Sequence, residues 1–282
     1  MVGKGFTKKN VNFLFQGRVV RKTGHGTTTI AESVMTTIRC HECDQLRVFL
    51  HGASGRMGQY VEAEVARDLS HCTIVGRAVR ASEVAGASRL AGAQVAIDFS
   101  TPEGACSMAR AAREASLPLL CATTGLTPAQ RAEVLAVASV APVMIAPNTS
   151  LGVAVARRVA AVAARLLDGY SVEIMEAHHI HKKDRPSGTA LSLAESVSAG
   201  SGVSIPAEAI AVTREGEIIG HHEVHFVGAS ERLSIIHDAG SRKLFAEGAL
   251  RLARWLVSQP PGAWTIDDWL DSLGAPRLST RP

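Results

Sequence analysis

The chain has 282 residues, 46% hydrophobic and 20% charged, which is typical of one large or two ordinary globular domains. The formal net charge of +4 arises within residues 1–46, which hold seven of the 30 basic and three of the 26 acidic side chains. The remainder is neutral and shows no basic face with stacking aromatics, so we expect no nucleic-acid partner. The longest apolar run, residues 134–147, is too short for a bilayer and contains Pro142, so no membrane span is expected.

The five cysteines favour a reducing compartment, because their number is odd and most lie in apolar segments. We therefore predict a cytoplasmic protein. Cys40 and Cys43 have C-x-x-C spacing, but no second ligand pair follows them. An unstructured thiol pair is favoured over a zinc site.

Residues 1–45 are rich in Lys, Arg and Thr and lack a sustained period of 3.6 or 2. They also lack the apolar stretch and cleavage site of a secretory signal. Three interpretations remain open: a disordered extension, an organelle presequence, or an incorrect start with Met35 as the initiator. We favour the extension or the incorrect start.

A glycine-rich turn follows the first predicted strand, residues 46–50. Gly52, Gly55 and Gly58 have G-x-x-G-x-x-G spacing and lead into an amphipathic helix. Glycines let the backbone approach a pyrophosphate, and the helix N-terminus offers free N–H groups. The pattern predicts a dinucleotide site, with a plain strand–turn–helix connection as the alternative.

The next predicted strand, residues 72–79, ends at basic residues instead of the acid that usually holds the ribose hydroxyls. Arg77 and Arg80 occur there, and Glu83 follows. A guanidinium at this point suits the 2′-phosphate of NADP. The alternative is an ordinary exposed arginine.

Strands and helices then alternate, which predicts a parallel sheet covered on both faces. The predicted strands cover 95–100, 117–123 and 142–146, and helices begin at Pro102 and Pro128. Several of these strands end in polar or glycine-bearing groups. Since ligands bind beyond the carboxyl ends of such strands, one crevice is expected there.

The second half predicts an α+β arrangement. An apolar helix covers 150–167, a strand covers 171–179, and two antiparallel strands cover 223–228 and 232–238. From Arg242 a helix returns to the first part. The predicted fold class is α/β, with a Rossmann-like parallel-sheet domain (46–149 and 242–282) and an α+β substrate and oligomerisation domain with a mixed open sheet (150–241).

Histidines and lysines cluster between this strand and a helix that starts near Gly188. Gly188 and Thr189 lie in the first predicted turn, with Pro186 suited to its opening, and their N–H groups can hold a carboxylate. Lys182 is a cation able to protonate an electron-rich centre, and His178 can shuttle a proton near neutral pH.

Five segments, in this order, resemble the 4-hydroxy-tetrahydrodipicolinate reductase (dihydrodipicolinate reductase) family of lysine and diaminopimelate biosynthesis: GASGRMG, IDFSTPEGA, TTG, APNTSLGV and EAHHIHKKDRPSGTAL. The likeness covers nearly all of residues 47–270. It implies hydride transfer from NADPH or NADH to a cyclic imine dicarboxylate, in a homotetramer.

Residue by residue, the resemblance implies a cofactor site and a substrate site. The positions that match the cofactor's phosphates and ribose are Gly52, Ala53, Ser54, Gly55, Arg56, Met57 and Arg80. Those on the nicotinamide side are Ala122, Thr123, Thr124, Ala146, Pro147, Asn148 and Thr149. His178 and Lys182 match the catalytic pair, and the substrate contacts are His179, Gly188 and Thr189.

The chain departs from the family pattern at several places. Ile180 replaces the usual Arg after the two histidines, Arg185 replaces Ala, and Ala122 replaces the glycine that opens the T-T-G loop. The stretch between Arg80 and Val95 is short. A hairpin is expected to be missing around 200–215. The sequence therefore does not predict the oligomer contacts or a lid over the substrate.

Three other functions are alternatives for this sequence. A zinc enzyme could use His178, His179 and His181, but Lys182 and Lys183 would repel the ion. A second histidine group, His221, His222 and His225, is interpreted as surface residues. A nucleotide sensor would not need Lys182, Gly188 and Thr189. A semialdehyde-dehydrogenase relative would need a nucleophilic thiol, and Cys121 precedes the T-T-G loop without facing substrate.

Overall fold

The computed structural model describes residues 45–67, 71–84 and 86–274. The predictions for the N-terminal extension, for Met35 and for the Cys40–Cys43 pair fall outside these residues. Within the described part, the longest apolar helices are not long enough to cross a membrane.

A six-stranded parallel sheet forms the first lobe. Its strands are β1 (Leu46–His51), β2 (Cys72–Ala78), β3 (Val95–Asp98), β4 (Leu119–Cys121), β5 (Pro142–Ile145) and β10 (Gly262–Trp264). They lie in the order β10-β5-β4-β3-β1-β2, and every pairing is parallel. All four residues of β3 are buried, as expected for a strand covered on both faces.

Helices cover both faces of this sheet. They are α1 (Arg56–Arg67), α2 (Pro102–Glu114), α3 (Pro128–Leu135), α6 (Lys243–Leu256) and α7 (Ile266–Ser272). On one face, Val61 of α1, Leu252 of α6 and Trp269 of α7 share a core. On the other face, Met108 of α2 and Val134 of α3 share a second core. The chain returns from the second lobe to complete the first.

A four-stranded mixed sheet forms the second lobe. Its strands are β6 (Ser171–His178), β7 (Ile210–Arg214), β8 (His221–Val227) and β9 (Arg232–Asp238), in the order β7-β6-β8-β9. Only the β6–β7 pairing is parallel. The helices α4 (Leu151–Leu166) and α5 (Gly188–Ser201) pack on one face of the sheet. The predicted fold class is therefore confirmed.

Two strands and one helix start differ from the predictions. β7 lies within the 200–215 stretch where no element was expected, and β10 has three residues beside two prolines. Both are too short for a clear alternating pattern. α5 begins at Gly188 with Ser187 as its cap, since the Ser187 side chain accepts from the Ala190 N–H at 3.2 Å. Pro186 thus precedes the cap and does not open the first turn.

Four short 3₁₀ helices complete the described elements: Ala81–Val84, Ala87–Leu90, Ala136–Ser139 and Ala207–Ala209. Two of them occupy the short connection between β2 and β3.

Candidate active site

A cleft of about 820 Å³ separates the two lobes. Four of the predicted cofactor residues line its first wall: Thr124, Ala146, Pro147 and Asn148. All five predicted catalytic and substrate residues line its second wall: His178, His179, Lys182, Gly188 and Thr189. The structure thus brings together residues that the sequence places in two separate halves.

A hydrogen bond between Asn148 and Thr189 joins the two walls. The Asn148 Nδ2 donates to Thr189 Oγ1 at 3.0 Å, and Asn148 Oδ1 accepts from the Ser150 N–H at 2.9 Å. Asn148 follows β5, and Thr189 is in the first turn of α5. The end of the parallel sheet is therefore linked directly to the start of the helix that was predicted to bind a carboxylate.

The glycine turn after β1 is built for close backbone packing. Gly52 has a φ of +80°, and a Cβ there would lie 2.4 Å from the Phe99 carbonyl oxygen. A Cβ on Gly58 would lie 2.3 Å from the Gly52 oxygen. Ser54 and Gly55 are exposed where α1 begins, and the first turn of α1 holds no acidic residue. The turn fits a pyrophosphate, because free helix N–H groups and the helix dipole favour an anion there.

A buried polar network supports the adjoining strand ends. The Asp98 carboxylate is fully buried and accepts from Ser100 Oγ at 2.6 Å and from Thr123 Oγ1 at 2.7 Å. His51 Nδ1 lies 2.8 Å from Asp98. Ala122 and Thr123 are buried, so Thr124 is the member of that predicted trio that lines the cleft.

Cys121 belongs to the same buried region. Its thiol is fully buried, 3.6 Å from Asp98 Oδ2. Burial, reinforced by the Asp98 charge, raises the pKa of Cys121 far above its usual range. A thiol held protonated is a poor nucleophile, which argues against a semialdehyde-dehydrogenase mechanism.

The two arginines near the end of β2 have different surroundings. Arg77 forms an ion pair with Glu62 at 2.5 Å. Arg80 is exposed just beyond β2, and the Glu83 carboxylate accepts from the Val79 N–H at 2.7 Å. Both arginines are exposed, and the Arg77 guanidinium is held by Glu62.

His178 is held by a carboxylate that lies beneath the cleft. His178 ends β6, and its Nδ1 is hydrogen-bonded to Oε2 of Glu176, whose side chain is fully buried. Burial lowers the pKa of His178, and the Glu176 charge partly offsets this effect. Burial alone would raise the pKa of Glu176, but hydrogen bonds from Arg214 and Ser187 hold it below its usual value. The carboxylate therefore stays ionised.

Lys182 lines the cleft. It forms an ion pair with Asp184, two positions further along the chain. Its Nζ lies 2.8 Å from Asp184 Oδ1, and its side chain is 23% exposed. Burial tends to raise the pKa of Asp184, but the Lys182 ammonium holds it below its usual value. A charged lysine thus lies on the same wall as Gly188 and Thr189.

Comparisons with known proteins agree over both lobes. The family model described as dihydrodipicolinate reductase, N-terminus, matches residues 46–149, and the one described as dihydrodipicolinate reductase, C-terminus, matches residues 152–270. The chain belongs to the dihydrodipicolinate reductase family. Members of this family are NAD(P)H-dependent reductases.

Individual relatives support this assignment. A 4-hydroxy-tetrahydrodipicolinate reductase of Xanthomonas campestris is 42% identical over 234 residues, which cover 79% of this chain and 97% of the relative. The enzyme of the same name from Thiobacillus denitrificans is 37% identical over 263 residues, covering 80% and 98%. The solved dipicolinate-bound dihydrodipicolinate reductase from Paenisporosarcina sp. TG-14 has a TM-score of 0.64 at 20% identity, covering 78% and 97%. This last likeness concerns the fold.

Arg242 is a cleft residue that the sequence analysis did not single out as a site residue. It precedes α6, lines the cleft, and its Nη2 lies 3.3 Å from His179 Nε2. The sequence feature that could have indicated Arg242 is its position as a basic residue at the start of the helix that returns to the first lobe. Arg214 was also missed, because it reaches the site from β7. Glu176 and Ser187 lie within the matched segment, but their roles depend on side-chain contacts that a sequence motif does not show.

The second histidine group contradicts the surface interpretation. His222 and His225 are only 4% and 6% exposed, and His221 is partly buried. His222 packs edge-on against His178 with ring centroids 5.0 Å apart, and the centroid of the His237 ring lies 5.6 Å from that of His222. Burial lowers the pKa of His222 to about 3. Side chains alternate between the two faces along β8, and His222 lies on the face that packs against the helices. The polar residues next to it in the sequence hide this alternation.

Glu176, His178 and His222 place three ligand atoms within 4.8 Å of one another. The sequence does not indicate this set, because His222 comes from the neighbouring strand β8. Arg214 already pairs with Glu176 at 2.9 Å, and Lys182 adds positive charge nearby. The two cations favour proton chemistry over a divalent ion at this cluster.

Proposed function

We propose that the chain catalyses the NAD(P)H-dependent reduction of 4-hydroxy-tetrahydrodipicolinate to tetrahydrodipicolinate, a step of lysine and diaminopimelate biosynthesis. The observation that carries the proposal is the cleft between the lobes. Four of the predicted nicotinamide-side residues line it from the first lobe, and all five predicted catalytic and substrate residues line it from the second. The Asn148–Thr189 hydrogen bond joins these two sets.

NAD(P)H bound along the first lobe supplies a hydride, that is, two electrons and one hydrogen. The substrate ring gains that hydride, and its hydroxyl group leaves as water with one added proton. One proton is therefore consumed for each NAD(P)H oxidised.

The second wall binds and orients a doubly anionic ring. The N–H groups of Gly188 and Thr189 begin α5 and favour a carboxylate, and His179 adds a further polar contact. The Lys182 ammonium adds positive charge at the same wall. Holding the ring in place supplies a large share of the rate, because a reaction between oriented groups loses less entropy at the transition state.

Lys182 and His178 are the proposed proton donors. Lys182 is exposed enough to reach a ligand in the cleft, whereas His178 lies deeper and is fixed by Glu176. A positioned proton donor contributes roughly 10²–10⁴-fold to a rate. Gly52, Ala53, Ser54, Gly55, Arg56, Met57 and Arg80 are proposed to contact the phosphates and ribose of the cofactor, and Ala122, Thr123 and Thr149 are proposed to belong to its nicotinamide side.

We also propose the organisation that the family resemblance implies. Residues 46–149 and 242–282 would form the dinucleotide-binding domain, and residues 150–241 the substrate-binding and tetramerisation domain. The outer face of the four-stranded sheet carries exposed Met175 and Ile236, which supports subunit contacts there. A cytoplasmic location fits a biosynthetic reductase that draws on the reduced nicotinamide pool.

The decisive experiment follows oxidation of NADPH, and then of NADH, by the purified full chain. Its substrate is generated in the cuvette by the preceding synthase. We expect loss of the reduced-nicotinamide absorbance only when synthase, its substrates and this chain are all present. A nucleotide sensor would bind NADPH without turnover, and that outcome would replace the proposed function.

A further inference from the structure

A single buried carboxylate contacts three separate parts of the second lobe. Glu176 Oε1 accepts from the Ser187 N–H at 3.1 Å and from Arg214 Nη2 at 2.9 Å. Its Oε2 is bonded to His178 Nδ1. The side chains of Glu176 and Arg214 are 0% and 3% exposed. Glu176 does not line the cleft, so it acts on a ligand only through its neighbours.

We propose that Glu176, supported by Arg214, is a positioning residue that fixes His178 and the anion-binding start of α5 in one geometry. The inference rests on the proposed function, since it assumes that His178 handles a proton and that α5 holds a carboxylate. It assigns a task to two residues that the predicted site does not contain.

The charge of Glu176 selects one tautomer of His178. An ionised carboxylate only accepts hydrogen bonds, so His178 Nδ1 carries a hydrogen that it donates to Oε2. The other nitrogen, Nε2, is then the one that takes up and releases a proton. A carboxylate behind a histidine in this way fixes the ring orientation and stabilises the protonated ring.

The same carboxylate sets the position of the helix start. Ser187 is the cap of α5, and its N–H points at Glu176 and not at the cleft. Gly188 and Thr189 follow immediately, so their N–H groups are left for a ligand. A shift of Glu176 would move the proton-handling ring and the anion-binding turn together.

Arg214 extends this arrangement to the catalytic lysine. Its Nε donates to the Lys182 carbonyl at 3.3 Å, and its Nη2 donates to the Asp184 carbonyl at 2.6 Å. These carbonyls flank Lys183 in the loop that carries Lys182. Arg214 also neutralises Glu176, which makes a buried carboxylate tolerable. β7 thus places a guanidinium that bonds Glu176 of β6 and the lysine loop, and Glu176 in turn bonds the cap residue of α5.

The first test replaces Glu176 by Gln, which keeps the size of the side chain and removes its charge. We expect kcat to fall by at least about tenfold, because an orienting carboxylate has an effect of that order or larger. The KM for the dicarboxylate should rise, and the KM for NADPH should stay the same. The limb of the pH profile that reports His178 should move to lower pH, because Glu176 raises the pKa of this ring.

Glu173→Gln is the matched control. Glu173 is on the same strand, is half-exposed and pairs with Arg232 at 3.2 Å. This variant should keep wild-type kcat, KM and pH profile. If Glu176→Gln also kept all three while the wild type turned over normally, the positioning role would be wrong and the proposed function would stand.

A second measurement is made on the wild-type chain and does not depend on the folding of Glu176→Gln. In ¹⁵N-histidine-labelled wild-type chain at neutral pH, the His178 ring should show hydrogen on Nδ1 and a bare Nε2. The signal can be assigned by its loss in His178→Gln. A wild-type ring with hydrogen on Nε2 alone would overturn the inference, whatever the outcome of the activity assay. Absent turnover in the wild type would instead reject the proposed function.

Discussion

The amide of Asn148 donates to the hydroxyl of Thr189 across the cleft at 3.0 Å, although 41 positions separate the two residues in the chain. This bond contributes to stability as well as to the shape of the site. In a double-mutant cycle of Asn148→Ala and Thr189→Val, we expect a coupling free energy of unfolding of about 0.5–1.5 kcal/mol. Urea unfolding of the four proteins measures it. Pairing Asn148→Ala with Thr127→Val, in the cap of α3, should give additive effects.

Replacing Lys182 by Ala should lower kcat by roughly 10²–10⁴-fold, because a positioned proton donor is lost. NADPH affinity, measured by fluorescence titration, should change little, since Lys182 belongs to the second wall. Lys183→Ala removes the same charge from an exposed neighbouring side chain and should leave kcat unchanged. Equal turnover in Lys182→Ala and the wild type would reject the proton-donor role.

Replacing Arg80 by Asp should shift the cofactor preference toward NADH. A carboxylate accepts hydrogen bonds from ribose hydroxyls and repels a 2′-phosphate, whereas the exposed guanidinium attracts it. The ratio of kcat/KM for NADPH to that for NADH measures the shift. Arg113→Asp is the control, because Arg113 lies in the last turn of α2, away from the carboxyl ends of the strands. An unaltered ratio in Arg80→Asp would mean that another residue discriminates.

His222 should make the stability of the fold depend on pH. Burial lowers its pKa from 6.5 to about 3 in the folded chain, so the unfolded chain binds more protons between these values. The stabilisation is therefore complete above pH 6.5 and is lost progressively as the pH falls toward 3. Between pH 6.5 and 5 this ring accounts for about 2 kcal/mol.

The comparison is with His222→Leu, which has a similar volume and no titrating group. Denaturant unfolding at pH 6.5 and at pH 5 should show a smaller loss of stability in this variant than in the wild type. His181→Leu, at an exposed position, should lose as much as the wild type. A wild-type loss no larger than that of His222→Leu would contradict the buried, uncharged state of this ring.

Most of the fold follows from local patterns. The apolar strands of the first lobe and the helices that start at Pro102 and Pro128 were predicted from runs and caps, which depend on neighbouring residues alone. β7 and β10 escaped prediction because five- and three-residue strands are stabilised by pairing with β6 and β5 and not by their own pattern. Pairing partners are set by the whole chain.

The candidate site likewise contains residues that short motifs predict and residues that they do not. Residues in short motifs, such as His178, Lys182, Gly188 and Thr189, were predicted and line one wall. Arg242 and Arg214 were not, since each reaches the site from a segment more than 30 positions away. Glu176 was in the recognised segment, but only the alternation along β6 together with its burial shows that it points beneath the cleft.

The first lobe begins earlier in the chain than the second lobe, but its last helices and its last strand come after all the strands of the second lobe. β10 pairs with β5 at the sheet edge, and Leu252 and Leu256 of α6 fill the core that β1 begins. During synthesis, a nascent chain emerging from the ribosome can therefore pair all the strands of the second lobe before the first lobe has its last strand. A premature stop codon after residue 241 would leave the four-stranded sheet of the second lobe whole. It would also expose the apolar face of the first lobe's sheet that α6 covers.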